Sequence, residues 1–359
     1  MSPAVKPIIR VLIVEDSPLM QQLLTYIFSQ DPAFQVVGTA DDAQSAFDAV
    51  AKWSPDVVTM DIQIKRSNGL EVTRQLMQTR PVPIVVISTS CQAGDTRLAL
   101  EIVQAGALAA MPKPPSVNHP EFPKISANLR QIVKDMSAVK VVKRRSQVTN
   151  NHTVLPVISK PKSSENQYSI MAIGGSTGGP PAVLALLKGL SPKLPLPVLL
   201  VQHIYPGFAP GLVEWLSSET PWKIRLIQEN SRAESGVVYL CENGYQMGIK
   251  VDGMIMINKD KETAQSLHHS PSVSHLFASV ASSFGPKGIG IILSGMGNDG
   301  AEELKQMRDK GALTIAQDKK SSIVYGMPGE AAKLNAADHI LSPAAAGHWI
   351  NHLFGIEKV

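Results

Sequence analysis

The chain has 359 residues, 44% of them apolar and 18% charged, with a formal net charge of +4; that length implies two domains with cores of their own and excludes a disordered or fibrous chain. Cys91 and Cys241 are far apart and unpatterned, which excludes a disulfide framework and suits a reducing compartment, and no apolar run reaches transmembrane length. The positive charge gathers in residues 138–168, where Lys140, Lys143, Arg144, Arg145, Lys160 and Lys162 face only Glu165; with no basic folded face and no recognition motif, nucleic acid is not an expected partner.

The opening MSPAVKPIIRVLIVED lacks a signal-peptide layout and runs straight into a strand, so a cytoplasmic location without membrane insertion is expected. Apolar runs at 8–14, 34–37, 57–60, 84–87 and 107–111 then alternate with helix candidates near 18–29, 42–51, 69–78, 94–104 and 124–137. This (βα)5 pattern over residues 7–138 predicts a doubly wound, flavodoxin-like parallel sheet with its ligands at the strand carboxyl ends. Those ends carry Glu15 and Asp16, then Asp61, Ser88 and Lys113. Three carboxylates in one crevice repel each other and call for a divalent cation, and oxygen ligands with room for water suit Mg²⁺. A hydroxyl and a lysine beside them can hold a transferred phosphoryl group.

Residues 139–167 are polar, basic and Pro/Ser-bearing, with one apolar patch at 154–158, and read as a flexible linker. The second domain, 168–355, opens on an apolar run at 170–173, the turn Gly174-Gly175-Ser176-Thr177-Gly178-Gly179, and a helix near 181–187. Strand, glycine turn and helix lift Ser176 to a strand end, and Gly174-x-Ser176-x-Gly178 fits the nucleophile-elbow pattern. A run at 198–201 ends in Gln202-His203, and a helix is expected at 211–218. Segments 223–228, 236–241, 246–251 and 254–258 read as short strands of an antiparallel flap. A helix at 272–283 follows, then a strand at 288–293 ending in Ser294-Gly295-Met296-Gly297-Asn298-Asp299-Gly300, a helix at 301–310 and a strand at 313–316.

Ser176, His203 and Asp299 thus follow three strands whose carboxyl ends converge in a parallel sheet. A serine hydroxyl is a weak nucleophile at neutral pH; it needs a base, and the base needs an orienting carboxylate. The chain order Ser…His…Asp differs from that of α/β-hydrolases, so a different α/β fold is expected. His268-His269 with His275 lacks a supporting cysteine or acidic cluster and is not read as a metal site.

With VLIVEDS, Met60-Asp61, Asn68-Gly69-Leu70, Ser88 and Lys113-Pro114, residues 8–138 resemble the response-regulator receiver domain. Residues 168–355 are similar to the catalytic domain of the CheB protein-glutamate methylesterase family. The matching stretches are IGGSTGG (173–179), Gln202-His203 with Phe208, Pro271-Ser272-Val273 with Leu276-Phe277, LSGMGNDGA (293–301) and TIAQDKKSSIVYGMPGEAAK (314–333). The resemblance implies that Ser176 is the nucleophile, His203 the base and Asp299 its orienter, with the Met296 amide and Thr177 serving the oxyanion. It implies Asp61 as phosphoacceptor, Glu15, Asp16 and Asp61 around Mg²⁺, and Ser88 and Lys113 as switch residues. The implied substrate is a glutamate γ-methyl ester on methylated chemoreceptors, hydrolysed to glutamate and methanol, with glutamine deamidation as a second activity. A chemotaxis-type histidine kinase is the implied phosphodonor, the esterase reaction needs no cofactor, and the unphosphorylated receiver hinders access to the triad. Two competing readings are a non-catalytic signalling module and a receiver-controlled hydrolase of another ester.

Four departures stand out. Lys65 replaces the receiver's usual proline four residues after the acceptor, and Ala110 replaces its switch aromatic. The esterase family's Ala-Pro-Gly turn with a following histidine becomes Cys241-Glu242-Asn243-Gly244-Tyr245-Gln246, and its PSVD becomes Pro271-Ser272-Val273-Ser274. Lying outside the triad, the last two are expected to bear on substrate fit rather than on the reaction.

Overall fold

The computed structural model describes residues 8–89, 101, 105–139, 141, 168–204, 207–260 and 270–356. Most of the basic stretch 139–167, most of the helix expected at 94–104, Cys91 and His268-His269 lie outside them. The chain divides into two compact units, Met1–Val148 and Thr149–Val359.

The strands of the first unit are β1 (Ile9–Val14), β2 (Phe34–Ala40), β3 (Val57–Met60), the short pair β4 (Gln63–Ile64) and β5 (Ser67–Asn68), β6 (Ile84–Ser88) and β7 (Ala109–Pro112). Five of them form a parallel sheet in the order β2-β1-β3-β6-β7. The order reverses between β1 and β3, which opens a crevice beyond their carboxyl ends. Glu15-Asp16 follow β1 and Asp61 follows β3, so both acidic positions border that crevice. One core cluster joins Leu12 and Val14 of β1, Val58 and Met60 of β3 and Val86 of β6 to Leu76 of the helix Gly69–Thr79.

Local chemistry fixes where the helices start. Ser17 accepts from the Met20 N–H ahead of Pro18–Ser29, and Asp42 with Ser45 makes a reciprocal capping box for Ala43–Trp53. The strand expected at 34–37 runs on to Ala40, because Gly38, Thr39 and Ala40 pair with Leu12, Ile13 and Val14. Ladder hydrogen bonds extend it past its apolar run.

The second unit contains β8 (Ile170–Gly175), β9 (Val198–Gln202), β10 (Lys223–Ile227), β11 (Ser231–Arg232), β12 (Val237–Cys241), β13 (Tyr245–Ile249), β14 (Met254–Lys259), β15 (Gly288–Ile292), β16 (Leu313–Gln317) and β17 (His339–Leu341). Seven form a wholly parallel sheet in the order β10-β12-β9-β8-β15-β16-β17. Its order reverses at β8, whose neighbours are β9 and β15. Ser176, His203 and the loop bearing Asp299 therefore leave three adjacent central strands.

The antiparallel flap is smaller than expected. β10 and β12 are parallel strands at one side of the main sheet, and only β11, β14 and β13 form an antiparallel sheet. The distinction lies in the burial pattern: all five residues of β12, VVYLC, are buried, as in a strand covered on both faces. The three-residue β17 and the helix Pro343–Leu353 were not expected; His339-Ile340-Leu341 is too short and too exposed to leave a periodic signal.

Tyr239 of β12 ties the two sheets together. It is fully buried, its hydroxyl donates to the Arg232 carbonyl at 3.3 Å, and it accepts from the Glu234 N–H at 2.9 Å. Tyr239→Phe leaves that N–H without its acceptor and should lower stability by about 1–2 kcal/mol. A chemical-denaturation midpoint equal to wild type would show that the hydroxyl contributes nothing.

Candidate active site and candidate phosphorylation site

In the first unit, oxygens of Glu15, Asp16 and Asp61 lie within 4.8 Å of one another, with Glu15 and Asp61 buried. Lys113, on the segment after β7, reaches in among them. Its Nζ lies 2.8 and 2.9 Å from the two Glu15 oxygens and 2.7 Å from Asp61 Oδ2. The other Asp61 oxygen accepts from the Ile62 N–H at 2.7 Å. Burial raises the Glu15 pKa, and the Asp61 charge adds to that; hydrogen bonds from Lys113 and the Ser17 N–H only partly counter it. Burial opposes the Lys113 charge, but its hydrogen bonds to Asp61 and Glu15 outweigh that and raise its pKa. Excess negative charge held together by one ammonium is a donor set that fits a small divalent cation.

Asn68-Gly69 has a clear physical role here. The Asn68 side chain caps the helix Gly69–Thr79 by accepting from the Leu70 N–H at 2.8 Å. A Cβ on Gly69 would stand 2.2 Å from the Asp61 carbonyl oxygen, so only glycine lets this helix start directly against the Asp61 backbone. Ser88 is fully buried at the end of β6, and its carbonyl accepts from the Lys113 N–H at 3.3 Å. Lys65 does not add to the cluster's ligands: its Nζ pairs with Asp41 at 2.6 Å, both side chains substantially exposed. Ala110 is half-buried and packs on the unit's core.

In the second unit, backbone hydrogen bonds bind the three strand ends together. The Ser176 N–H donates to the Ser294 carbonyl at 3.0 Å, and the His203 N–H donates to the Gly175 carbonyl at 2.9 Å. The turn between Ser176 and its helix needs glycine twice. Gly178 has φ +73°, and a Cβ there would meet Ile323 and Ser294; a Cβ on Gly179 would sit 2.1 Å from Gln202 Oε1. The Ser176 Cβ is close to Gly295, where an added Cβ would approach it to 2.8 Å.

His203 Nε2 stands 2.9 Å from Asp299 Oδ2, with only 12% and 10% of the two side chains exposed. Asp299 also lies at the start of the helix Val273–Ser283. It accepts from the Val273 N–H at 2.8 Å, the Ser274 N–H at 2.9 Å and the Ser272 hydroxyl at 3.0 Å. Burial by itself would raise its pKa; hydrogen bonds from His203 and the Ser274 and Val273 amides, with the His203 charge, outweigh it and hold the carboxyl well below the usual range. The segment 271–274 is therefore not confined to substrate fit, as its position outside the triad suggested: it touches the Asp299 carboxylate directly.

Residues to which the sequence reading gave no role hold this arrangement. Gln202, only 1% exposed, donates from Nε2 to the carbonyls of Ser176 at 2.7 Å and His203 at 3.0 Å. Gln317 accepts from the Ser294 N–H at 2.6 Å, and the Ser294 hydroxyl donates to the Thr177 carbonyl at 2.8 Å. The turn carrying Met296 is stapled to residues 324–327: the Gly295 carbonyl accepts from the N–H groups of Gly326 and Met327, and a Cβ on Gly326 would meet that carbonyl at 2.6 Å. A readable signal existed for both glutamines, since each is the last residue of a wholly buried strand. Cys241 is buried, and burial with the nearby Glu242 charge pushes its thiol up to about 12, so it is inert at neutral pH.

Asp299→Asn should fold but lose stability as well as activity. An amide at this position turns an NH₂ toward donors and removes the charge from the helix N-terminus, which costs on the order of 1–3 kcal/mol. Because the folded pKa is depressed, that stability is fully present above the unfolded carboxylate range and disappears as pH falls through the folded value. The difference in unfolding midpoint between wild type and Asp299→Asn should be widest near neutrality and narrow below about pH 4. A difference independent of pH would rule out the ionised carboxylate as its source.

The geometry can be set beside known proteins. The CheB methylesterase family model matches residues 171–350, and the response regulator receiver domain model matches residues 11–119. A protein-glutamate methylesterase/protein-glutamine glutaminase of Nitrosospira multiformis is 39% identical over 338 residues, covering 93% of each chain. Another bearing that name, from Geobacter metallireducens, is 41% identical and covers 93% of this chain and 96% of its own. A third, from Hahella chejuensis, is 41% identical over 96% of this chain and 98% of its own. With a parallel α/β unit of each matched kind, and relatives of this identity spanning nearly its whole length, the chain belongs to the CheB methylesterase family, behind a response-regulator receiver domain.

Proposed function

We propose that this chain is a phosphorylation-controlled protein-glutamate methylesterase that also deamidates glutamine side chains, its domains being 7–138, the linker 139–167 and 168–355. The observation that carries the reading is the close pair of His203 and Asp299 beside the Ser176 turn, at the ends of three adjacent parallel strands. A largely buried carboxylate 2.9 Å from an imidazole, on a residue whose backbone N–H is tied to the glycine turn before Ser176, is the arrangement that activates a hydroxyl.

Nε2 of His203 faces Asp299, so Nδ1 is the nitrogen that serves Ser176. Ser176 Oγ attacks the ester carbonyl as His203 takes its proton, forming a C–O bond and a tetrahedral oxyanion. The Met296 amide, on the turn stapled to Gly326 and Met327, stabilises that charge together with Thr177. The intermediate collapses, methoxide leaves, and His203 returns the proton to give methanol. Water then attacks the acyl-enzyme, His203 again taking and returning a proton, to release glutamate and regenerate Ser176. With glutamine the same course releases ammonia. Asp299, held ionised, keeps the imidazole oriented and supports its transient positive charge.

Phosphorylation falls to the first unit. Asp61 accepts the phosphoryl group, with Glu15, Asp16 and Asp61 holding Mg²⁺, which supplies charge neutralisation to the transferring group when bound. Lys113, already paired with Asp61, and Ser88 then answer to the new phosphate oxygens. The donor is a histidine kinase of the chemotaxis type, and the substrates are methylated chemoreceptors presented in the cytoplasm. Among the described residues, no helix is long and apolar enough to cross a membrane.

The test is methanol release from methylated chemoreceptor, with and without a small phosphodonor and Mg²⁺. Ser176→Ala should abolish release, because removing the nucleophile removes the covalent route. Asp61→Asn should keep basal activity and lose both labelling and the response to the donor. Wild-type turnover by Ser176→Ala would discard the covalent mechanism, and labelling of Asp61→Asn would move the phosphorylation site. Failure of the purified chain to act on methylated receptor, while it cleaves a simple aryl ester, would redirect the reading to another ester.

A further inference from the structure

The four contacts of Asp299 are not equivalent. Oδ2 faces His203 and the Val273 N–H, and Oδ1 takes the Ser274 N–H and the Ser272 hydroxyl. Two of the helix-terminal donors are main chain, which nearly any residue would supply. Ser272 is the one of the three helix-terminal donors that depends on side-chain identity, and it is buried, with 8% exposure.

Its hydroxyl works in two directions. As an acceptor it caps the helix Val273–Ser283, taking the His275 N–H at 3.3 Å. As a donor it directs its single proton to Asp299 Oδ1 at 3.0 Å. A cap needs only an acceptor, which asparagine or aspartate also supply, and glycine fills the position without one at little cost. The donor half is what a cap by itself does not require. The Ser274 hydroxyl is used differently: it accepts from the Gly300 N–H at 2.8 Å and donates to Glu303 Oε2 at 2.5 Å, fixing the turn on which Asp299 stands.

We infer that Ser272 is a positioning residue of the active site: its hydroxyl proton holds Oδ1 of Asp299 so that Oδ2 stays presented to His203. This rests on the reading of Ser176, His203 and Asp299 as the catalytic residues. The carboxylate's terminal torsion is soft and roughly two-fold. The Ser274 and Val273 amides hold one oxygen each, and the Ser272 hydroxyl adds a second direction on Oδ1; its loss widens the swing of Oδ2 about the imidazole. A hydrogen bond to a charged acceptor is strong enough for its loss to reach the rate.

The test uses the full-length chain with Ser272→Gly, Ser272→Ala and Ser272→Thr. For each, kcat and KM for methanol release, the thermal unfolding midpoint, and the rate of Ser176 labelling by a fluorophosphonate are measured. Ser272→Gly removes the hydroxyl as acceptor and donor at little cost to the helix end; kcat should fall about ten- to a hundredfold with KM little changed. Labelling should slow in parallel, since it too needs the imidazole in place. Ser272→Ala loses cap and donor, so its midpoint should fall below that of Ser272→Gly while its kcat matches. Ser272→Thr keeps both functions and should restore kcat. Near-wild-type kcat in Ser272→Gly would overturn the proposal and leave Ser272 as a helix cap, as would a change confined to KM. If wild-type protein is not labelled at Ser176, or Ser176→Ala still turns over, the catalytic reading fails and the proposal falls with it.

Discussion

A parallel strand covered on both faces has nowhere to keep a charged side chain. In both units this constraint governs where chemistry is found. β3, β6, β8, β9, β15 and β16 are buried throughout. Charged and nucleophilic groups are expelled to the strand ends, where the backbone leaves the ladder and amides become available to them. The reversal of strand order then decides which ends lie beside an open crevice. In the first unit this brings Glu15, Asp16 and Asp61 together; in the second it sets Ser176, His203 and Asp299 at the ends of β8, β9 and beyond β15.

The two sites hold buried carboxylates by opposite means. Glu15 is under-compensated: burial and Asp61 raise its pKa, and Lys113 offsets only part of that. Such a site gains from added positive charge, and so favours a cation. Asp299 is over-compensated by a helix N-terminus, a hydroxyl and an imidazole, and stays ionised well into acid. A carboxylate so fully engaged is a poor proton acceptor. In the proposed mechanism it orients His203 and leaves proton traffic to the imidazole.

The departures from the family pattern separate by what they touch. Lys65 is accommodated by an exposed pair with Asp41 and a backbone hydrogen bond to the same residue, away from the buried carboxylates. In the second unit Ser274 sits against Glu303 and against Gly300, the residue after Asp299, so a change there acts on the turn that carries the Asp299 carboxylate. Asn243, in the altered 241–246 segment, donates to the Ile204 carbonyl at 2.8 Å and so reaches the residue after His203. Distance along the chain from Asp299 or His203 is a poor guide to which residues touch them.

Much of this was legible before any coordinates. Apolar runs bounded by glycine and acidic residues set the alternation of strand and helix, because burial on two faces demands continuous apolar sequence. Polar residues closing those runs gave Glu15, Asp16, Asp61, Ser88, Ser176 and His203, and the loop after another gave Asp299. Tertiary structure alone decided the rest. Whether β10 and β12 joined the main sheet or a flap depended on what covered their second face, which local sequence does not record. The partners of Asp299 come from a helix some 25 residues earlier in the chain, and Gln202 joins Ser176 to His203 across two strands. Such contacts arise from the register of parallel strands and the seating of helix ends on them. Periodicity within a segment fixes which face is buried, but carries no information on which distant backbone amide will stand 3 Å from a given carboxylate.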